Sequence, residues 1–212
     1  MAASGREVIA LYRDPGVRAR AYLNVRWLVC PFDRVLPLVP TEGRLLDVGC
    51  GSGLWLNYLA LERPRLDLHG VDPDARKLAL AEKSSDRLDL RQRSVEEVTP
   101  ESFDCVTILD VLCLLSDELK RKVLAAAYRA LRRGGTIVVK DADTRPWWKY
   151  APMAIEELVA VHVMRMTLGR PKFQSLETLA HGLESVGFQD VETRRIDGGY
   201  LHPHVVARAR KP

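Results

Sequence analysis

Cysteine is scarce and poorly placed for covalent or metal work. Cys30, Cys50, Cys105 and Cys113 form no C-x-x-C pair and no metal-ligand spacing. Neither a disulfide framework nor a metal site is expected. Three of the four fall in or beside apolar segments, which reads as buried thiols in a reducing compartment. No run approaches the ~20 apolar residues of a membrane span. Met1 to Arg6 lead into a helix dotted with arginines rather than a secretory leader, so a cytoplasmic location is expected. Excess charge of one sign is also missing. The net charge of +4 is too modest to argue for nucleic acid. Repeats, low-complexity runs and linkers are absent. What is present is 212 residues, 47% of them hydrophobic, enough for one globular domain with a full core. Arginines do cluster early, at Arg6, Arg13, Arg18, Arg20, Arg26 and Arg34. Such a set is commonly a solvated helix face; the sharper reading is contact with an acidic substrate or a lipid headgroup.

The densest signal is Leu45-Leu46-Asp47-Val48-Gly49-Cys50-Gly51-Ser52-Gly53. An apolar strand ends in three glycines at alternate positions, and a helical run follows. Glycine lets a backbone reach φ > 0 and approach a ligand closely. A dinucleotide-binding turn would be the rival, but G-x-G-x-x-G needs a third glycine where this chain has Leu54. Strands and helices then alternate: strand 44–48, helix 53–62, strand 66–71, helix 74–84, strand 88–92, a short helix near 95–99, strand 104–109, helix 117–132 and strand 135–140. The helix before the last of these strands is expected to stop at Gly134-Gly135. A further helix, 175–186 with Gly187 as its cap, precedes strands 191–196 and 204–210, which are close enough for a hairpin. The expected fold is therefore α/β: a doubly wound, Rossmann-like sheet of seven mostly parallel strands, with a C-terminal antiparallel hairpin and a helical cap. Asp72, about 20 residues past the glycine turn, is placed to accept hydrogen bonds from a ribose hydroxyl pair. Asp74 suits the N-cap of the next helix.

These segments together resemble the class I S-adenosylmethionine (SAM) dependent methyltransferases, over residues ~43 to 210. The resemblance implies SAM as the methyl donor. It implies donor contacts from Asp47, Gly49, Cys50, Gly51 and Gly53 in the first motif, Asp72 and Pro73 in the second, Ser94 and Val95 at the third strand end, and Asp110 at the fourth. Ser94 stands where an acid is commoner, so Glu96 or backbone groups are the alternative adenine contacts. Leu131 to Gly135 resembles the family's L-x-P-G-G turn, with Arg133 in place of proline. One methyltransferase domain, 1–212, is expected. Its parts are a helical cap (1–38), a SAM-binding core (43–140), a lid insert (141–174) and a C-terminal helix and hairpin (175–212).

Cap, insert and the loop from Gly198 to His204 should converge at the carboxyl ends of the strands and build the acceptor pocket. The insert reads as an apolar helix with three methionines, either packed as a lid or forming a wall against a greasy acceptor or a membrane surface. A hydroxyl acceptor needs its proton removed by a group of near-neutral pKa, which suits histidine. His202 and His204 are the candidates for base or acceptor-orienting group, with rate falling below pH ~6.5 for a base; shaping the hairpin is the plainer role. Tyr12, Tyr22, Trp147 and Tyr200 are candidate acceptor contacts. The motifs of base methylases and the paired glutamates of arginine methyltransferases are missing. A small-molecule or lipid-like acceptor, methylated on O, N or C, is therefore expected, without nucleic acid and with peripheral membrane contact open. The alternatives are an NAD(P)-binding oxidoreductase and a SAM-binding protein without catalysis.

Overall fold

The computed structural model describes residues 2–143 and 175–212. Seven strands form one sheet: β1 (Glu42–Val48), β2 (Arg65–Val71), β3 (Leu88–Arg91), β4 (Phe103–Leu109), β5 (Leu131–Ala142), β6 (Gln189–Arg195) and β7 (His204–Arg210). Their order is β3-β2-β1-β4-β5-β7-β6. The first five are parallel, and β7 runs antiparallel to both β5 and β6. The chain winds outward from β1 to β3, then crosses to β4 and winds the other way. That reversal opens a crevice at the carboxyl ends of β1 and β4, where ligands bind in doubly wound sheets. β6 is parallel to the first five, so the loop leaving it reaches the same edge.

Seven helices accompany the sheet among the described residues: α1 (Gly5–Ala10), α2 (Gly16–Val29), α3 (Phe32–Val35), α4 (Leu54–Glu62), α5 (Ala75–Ala81), α6 (Asp117–Ala130) and α7 (Leu176–Ser185). Every residue of α4 from Leu54 to Ala60 is buried. The sheet covers one side of α4, and the α1–α3 cap covers the other. Trp27 and Phe32 of the cap meet Trp55 and Tyr58 of α4, with ring centroids 5.1–5.7 Å apart. Asp74 caps α5 by accepting from the Arg76 amide, as expected.

The boundaries around β5 differ most from the sequence reading. α6 ends at Ala130, not at 132, and β5 begins before the glycines. Leu131 is fully buried opposite Phe103. Burying that leucine in the sheet outweighs the helical tendency of Arg132 and Arg133, which become part of an irregular stretch between paired residues. β5 also runs on through Asp141 and Ala142, which the sequence reading gave to the insert. The rest of the expected lid, from 144 to 174 and including Trp147, lies outside the described residues. All four cysteines are buried and unbridged. No described helix is long and apolar enough to cross a membrane.

Candidate active site

The three glycines of the first turn all have positive φ, at 71°, 54° and 73° for Gly49, Gly51 and Gly53. The Gly49 and Cys50 amides donate to the Val71 carbonyl, which ties the turn to the end of β2. A Cβ on Gly49 would lie 2.5 Å from Val111 Cγ2, and one on Gly53 would lie 3.1 Å from Ala81. Those two glycines are required by packing as well as by backbone. Gly51 is different. A Cβ there would meet nothing closer than Asp72 Oδ2 and Lys77 Cδ, each at 3.9 Å. Its surface is an open cradle bordered by a carboxylate.

Asp72 is buried, and its two oxygens divide their work. Oδ2 accepts from the Gly51 amide at 2.9 Å, and Oδ1 accepts from the Asp74 amide at 2.8 Å. Each carboxylate oxygen has a second lone pair. The open space over Gly51 and the remaining lone pairs of this acid fit the ribose end of a nucleoside-bearing donor, so Gly49 to Gly53 and Asp72 are the residues that would hold SAM. Pro73 follows directly. Ser94 caps the short 3-10 turn Val95–Glu97, with its hydroxyl accepting from Glu96 N and its amide donating to Glu97. That hydroxyl accepts locally but keeps its own O–H to donate, so Ser94, Glu96 and backbone groups all stay candidates for an adenine contact; Val95 is buried beside it.

Asp47 lies below the turn, buried, with Oδ1 accepting from Thr107 Oγ1 at 2.7 Å. Burial pushes its pKa up to about 7; the Thr107 hydrogen bond opposes this and the Asp72 charge adds to it. An aspartate in an unfolded chain titrates near 3.9. The folded protein therefore binds more protons between about pH 4 and pH 7, and stability present at low pH is lost as pH rises through that window. Buried Asp141, raised to about 6 by burial and then by the Asp110 charge, acts in the same direction. Asp47→Asn is expected to reduce the fall in stability of the ligand-free protein between pH 5 and pH 8, as read by urea denaturation. An unchanged slope would show that Asp47 is ionised throughout. Burial raises the Cys50 thiol as well, so this residue contributes backbone rather than a nucleophile.

A second cluster sits at the end of β4. Asp110 adopts φ of +57°, and its carboxylate bridges two cations. Oδ1 accepts from Lys140 Nζ and Oδ2 from an Arg26 Nη, both at 2.6 Å, with Cys30 Sγ 3.8 Å from Oδ2. Lys140 is only 1% exposed. Burial alone would raise the Asp110 pKa, but the Lys140 and Arg26 charges outweigh it and hold the acid well below the usual carboxylate range. The sequence reading found Asp110 but missed both partners. Lys140 was visible only as a lysine closing an apolar strand. Arg26 belonged to a set read as solvated, yet it turns inward. So does Arg34, which donates to the Ile196 and Gly198 carbonyls and lies 5.2 Å from the Tyr200 ring centroid.

The C-terminal loop and the first residue of β7 bring the two expected histidines together, with ring centroids 6.0 Å apart. His204 is buried. Its Nε2 lies 2.8 Å from the Val29 carbonyl at the end of α2. A carbonyl only accepts, so Nε2 carries the proton, and Nδ1 is left with a buried lone pair that has no partner. Burial, then the Lys140 charge, pushes the pKa of His204 down to about 3. With its pKa that low the imidazole stays neutral around pH 6.5, so an acid limb from His204 would fall below that pH. Tyr200 packs edge-on against His204, and its hydroxyl donates to Asp33 of the cap. Tyr22 is half-buried on α2. The buried hydroxyl of Tyr12 donates to the Ser52 carbonyl within the glycine turn at 2.8 Å.

A glycine cradle at the switch point of a seven-stranded sheet with an antiparallel end pair defines the class: a SAM-dependent methyltransferase fold. The methyltransferase domain family matches residues 25–193, and the chain belongs to that family. It is 30% identical over 157 residues to the demethylspheroidene O-methyltransferase of Rhodobacter capsulatus, covering 72% of this chain and 38% of that one. It is 30% identical over 128 residues to the ubiquinone biosynthesis O-methyltransferase of Xanthomonas campestris pv. campestris, covering 58% of this chain and 51% of the relative. The matches thus span 38% and 51% of these relatives' own lengths. Solved structures share the fold. A SAM-dependent methyltransferase from Thermotoga maritima, described as a possible histamine N-methyltransferase, gives a TM-score of 0.63 at 22% identity, covering 85% of this chain and 87% of that one. Human N-acetylserotonin methyltransferase in complex with SAM gives 0.70 at 17% identity, covering 99% and 60%.

Proposed function

We propose that the chain transfers the methyl group of SAM to a hydroxyl on a small, apolar or lipid-like acceptor. When bound, SAM supplies a methyl group already activated on a sulfonium. The open cradle over Gly51, edged by Asp72, carries the donor half of this reading. The buried lone pair of His204 Nδ1 carries the acceptor half. The O-methyltransferase names of the two relatives favour oxygen over nitrogen or carbon.

In this reading Asp72 and the Gly49 to Gly53 backbone fix the donor, and Tyr12 holds that backbone in shape. His204 accepts a hydrogen bond from the acceptor hydroxyl and orients its oxygen, and the hydroxyl proton is lost to solvent water once the new C–O bond has made that oxygen acidic. A resting pKa near 3 makes it a weak base, so its contribution is orientation, which alone can change rates by about 100-fold for a displacement of an ångström. His204→Ala should therefore lower turnover by about 100-fold while S-adenosylhomocysteine binds within about twofold of wild type. Release of S-adenosylhomocysteine with a panel of catechols and long-chain phenols measures the first, and calorimetry the second. The loss should be equal at pH 5.5 and 7.5, since the imidazole is neutral at both. Wild-type turnover in the variant would remove His204 from the site. Intact donor binding with no turnover on any hydroxyl acceptor would favour a SAM-binding protein without catalysis.

A further inference from the structure

Helix α2 presents an apolar face to solvent. Its inner side is fully used: Leu23 is buried, Tyr22 and Trp27 pack on the core, and Arg26 reaches Asp110. On the outer side, Val17, Ala21, Val25 and Leu28 recur at helical spacing and form one stripe. Val17 is 87% exposed, Val25 58% and Leu28 72%. Half of the large exposed apolar side chains of the described chain therefore lie on this one helix. At 100° per residue, Arg18 borders the stripe on one side and Arg20 on the other, and both are exposed. The helix contains no acidic residue.

We propose that the outer face of α2 docks on an anionic lipid surface. An amphipathic helix lying in the interface buries an apolar face and sets basic side chains against lipid phosphates. The flanking arginines supply that charge complementarity. They also argue against a second copy of this chain, because pairing α2 with α2 would bring arginines against arginines. The stripe runs along a 14-residue helix about 21 Å long, which suits a flat surface. Docking would have a consequence for the site. The same helix holds Arg26 against Asp110 and ends at Val29, whose carbonyl holds His204. The bilayer would then adjoin the edge where an acceptor enters. The inference does not depend on the acceptor's identity.

Co-sedimentation of the 212-residue chain with lipid vesicles tests it. Binding to vesicles containing phosphatidylglycerol should exceed binding to phosphatidylcholine vesicles by about tenfold or more. The Val25→Asp/Leu28→Asp variant should lose it, and so should Arg18→Glu/Arg20→Glu, with S-adenosylhomocysteine binding and far-ultraviolet circular dichroism unchanged in both. Failure of the wild-type protein to sediment with the anionic vesicles would overturn the proposal, as would wild-type binding by either variant. A concentration-dependent dimer that Val25→Asp/Leu28→Asp abolishes would overturn it too, by placing a second copy on this face.

Discussion

Gly51→Val is expected to abolish measurable binding of S-adenosylhomocysteine, a loss of more than about 100-fold, while the protein stays folded. The argument rests on what surrounds each glycine of the turn. A side chain at Gly49 would run into Val111, and one at Gly53 would crowd Ala81, so substitutions there disturb packing directly. At Gly51 the protein offers open space, and a valine side chain would occupy the place the proposed reading gives to the donor. The backbone cost remains, because φ of +54° is unfavourable for a β-branched residue, at about 1–3 kcal/mol. Calorimetric titration together with urea denaturation separates the two effects. Normal binding in a folded Gly51→Val variant would mean that the cradle is not where the donor sits.

Asp110→Asn is expected to destabilise the protein by about 3–5 kcal/mol, the usual cost of removing one partner from a buried ion pair. Asparagine tolerates the left-handed conformation that Asp110 adopts, so the change isolates charge from backbone strain. It leaves the Lys140 ammonium buried beside an Arg26 guanidinium with no carboxylate between them. Lys140→Met should cost less, because Arg26 still neutralises Asp110. Combining the two should recover part of the loss, since the unpaired buried ammonium is then gone. A loss below about 1 kcal/mol for Asp110→Asn would show that water or another anion relieves the cluster.

The part of the molecule written in local pattern could be read from the sequence. The run from Leu45 to Val48, the alternate glycines and the acid at Asp72 depend on residues a few positions apart, and the crevice follows from strand order. The Asp74 cap and Gly187, which has φ of +102° just past α7, are local in the same way. What failed to show was long-range. Tyr12 and Ser52 are 40 positions apart, so no pattern announces that this tyrosine braces the donor turn. Arg26 and Asp110 are 84 apart, and an arginine on a basic helix gives no sign of which way it faces. His204 was found through its loop, but its lowered pKa comes from burial and then the Lys140 charge, and its tautomer from the Val29 carbonyl, none of them local to the loop. The end of α6 was missed because Leu131 is claimed by the sheet, a tertiary preference that outweighs local propensity.

Calorimetric titration of S-adenosylhomocysteine into the wild-type and Asp72→Ala proteins, with NAD as the competing ligand, tests the central claim most directly. The account predicts wild-type binding at a micromolar-scale dissociation constant, roughly −8 kcal/mol, and no heat from NAD. Asp72→Ala should weaken binding by about 10- to 100-fold, through loss of a charge-assisted hydrogen-bond acceptor worth about 1.5–3 kcal/mol. NAD binding without S-adenosylhomocysteine binding, or a change below about twofold in Asp72→Ala, would contradict it.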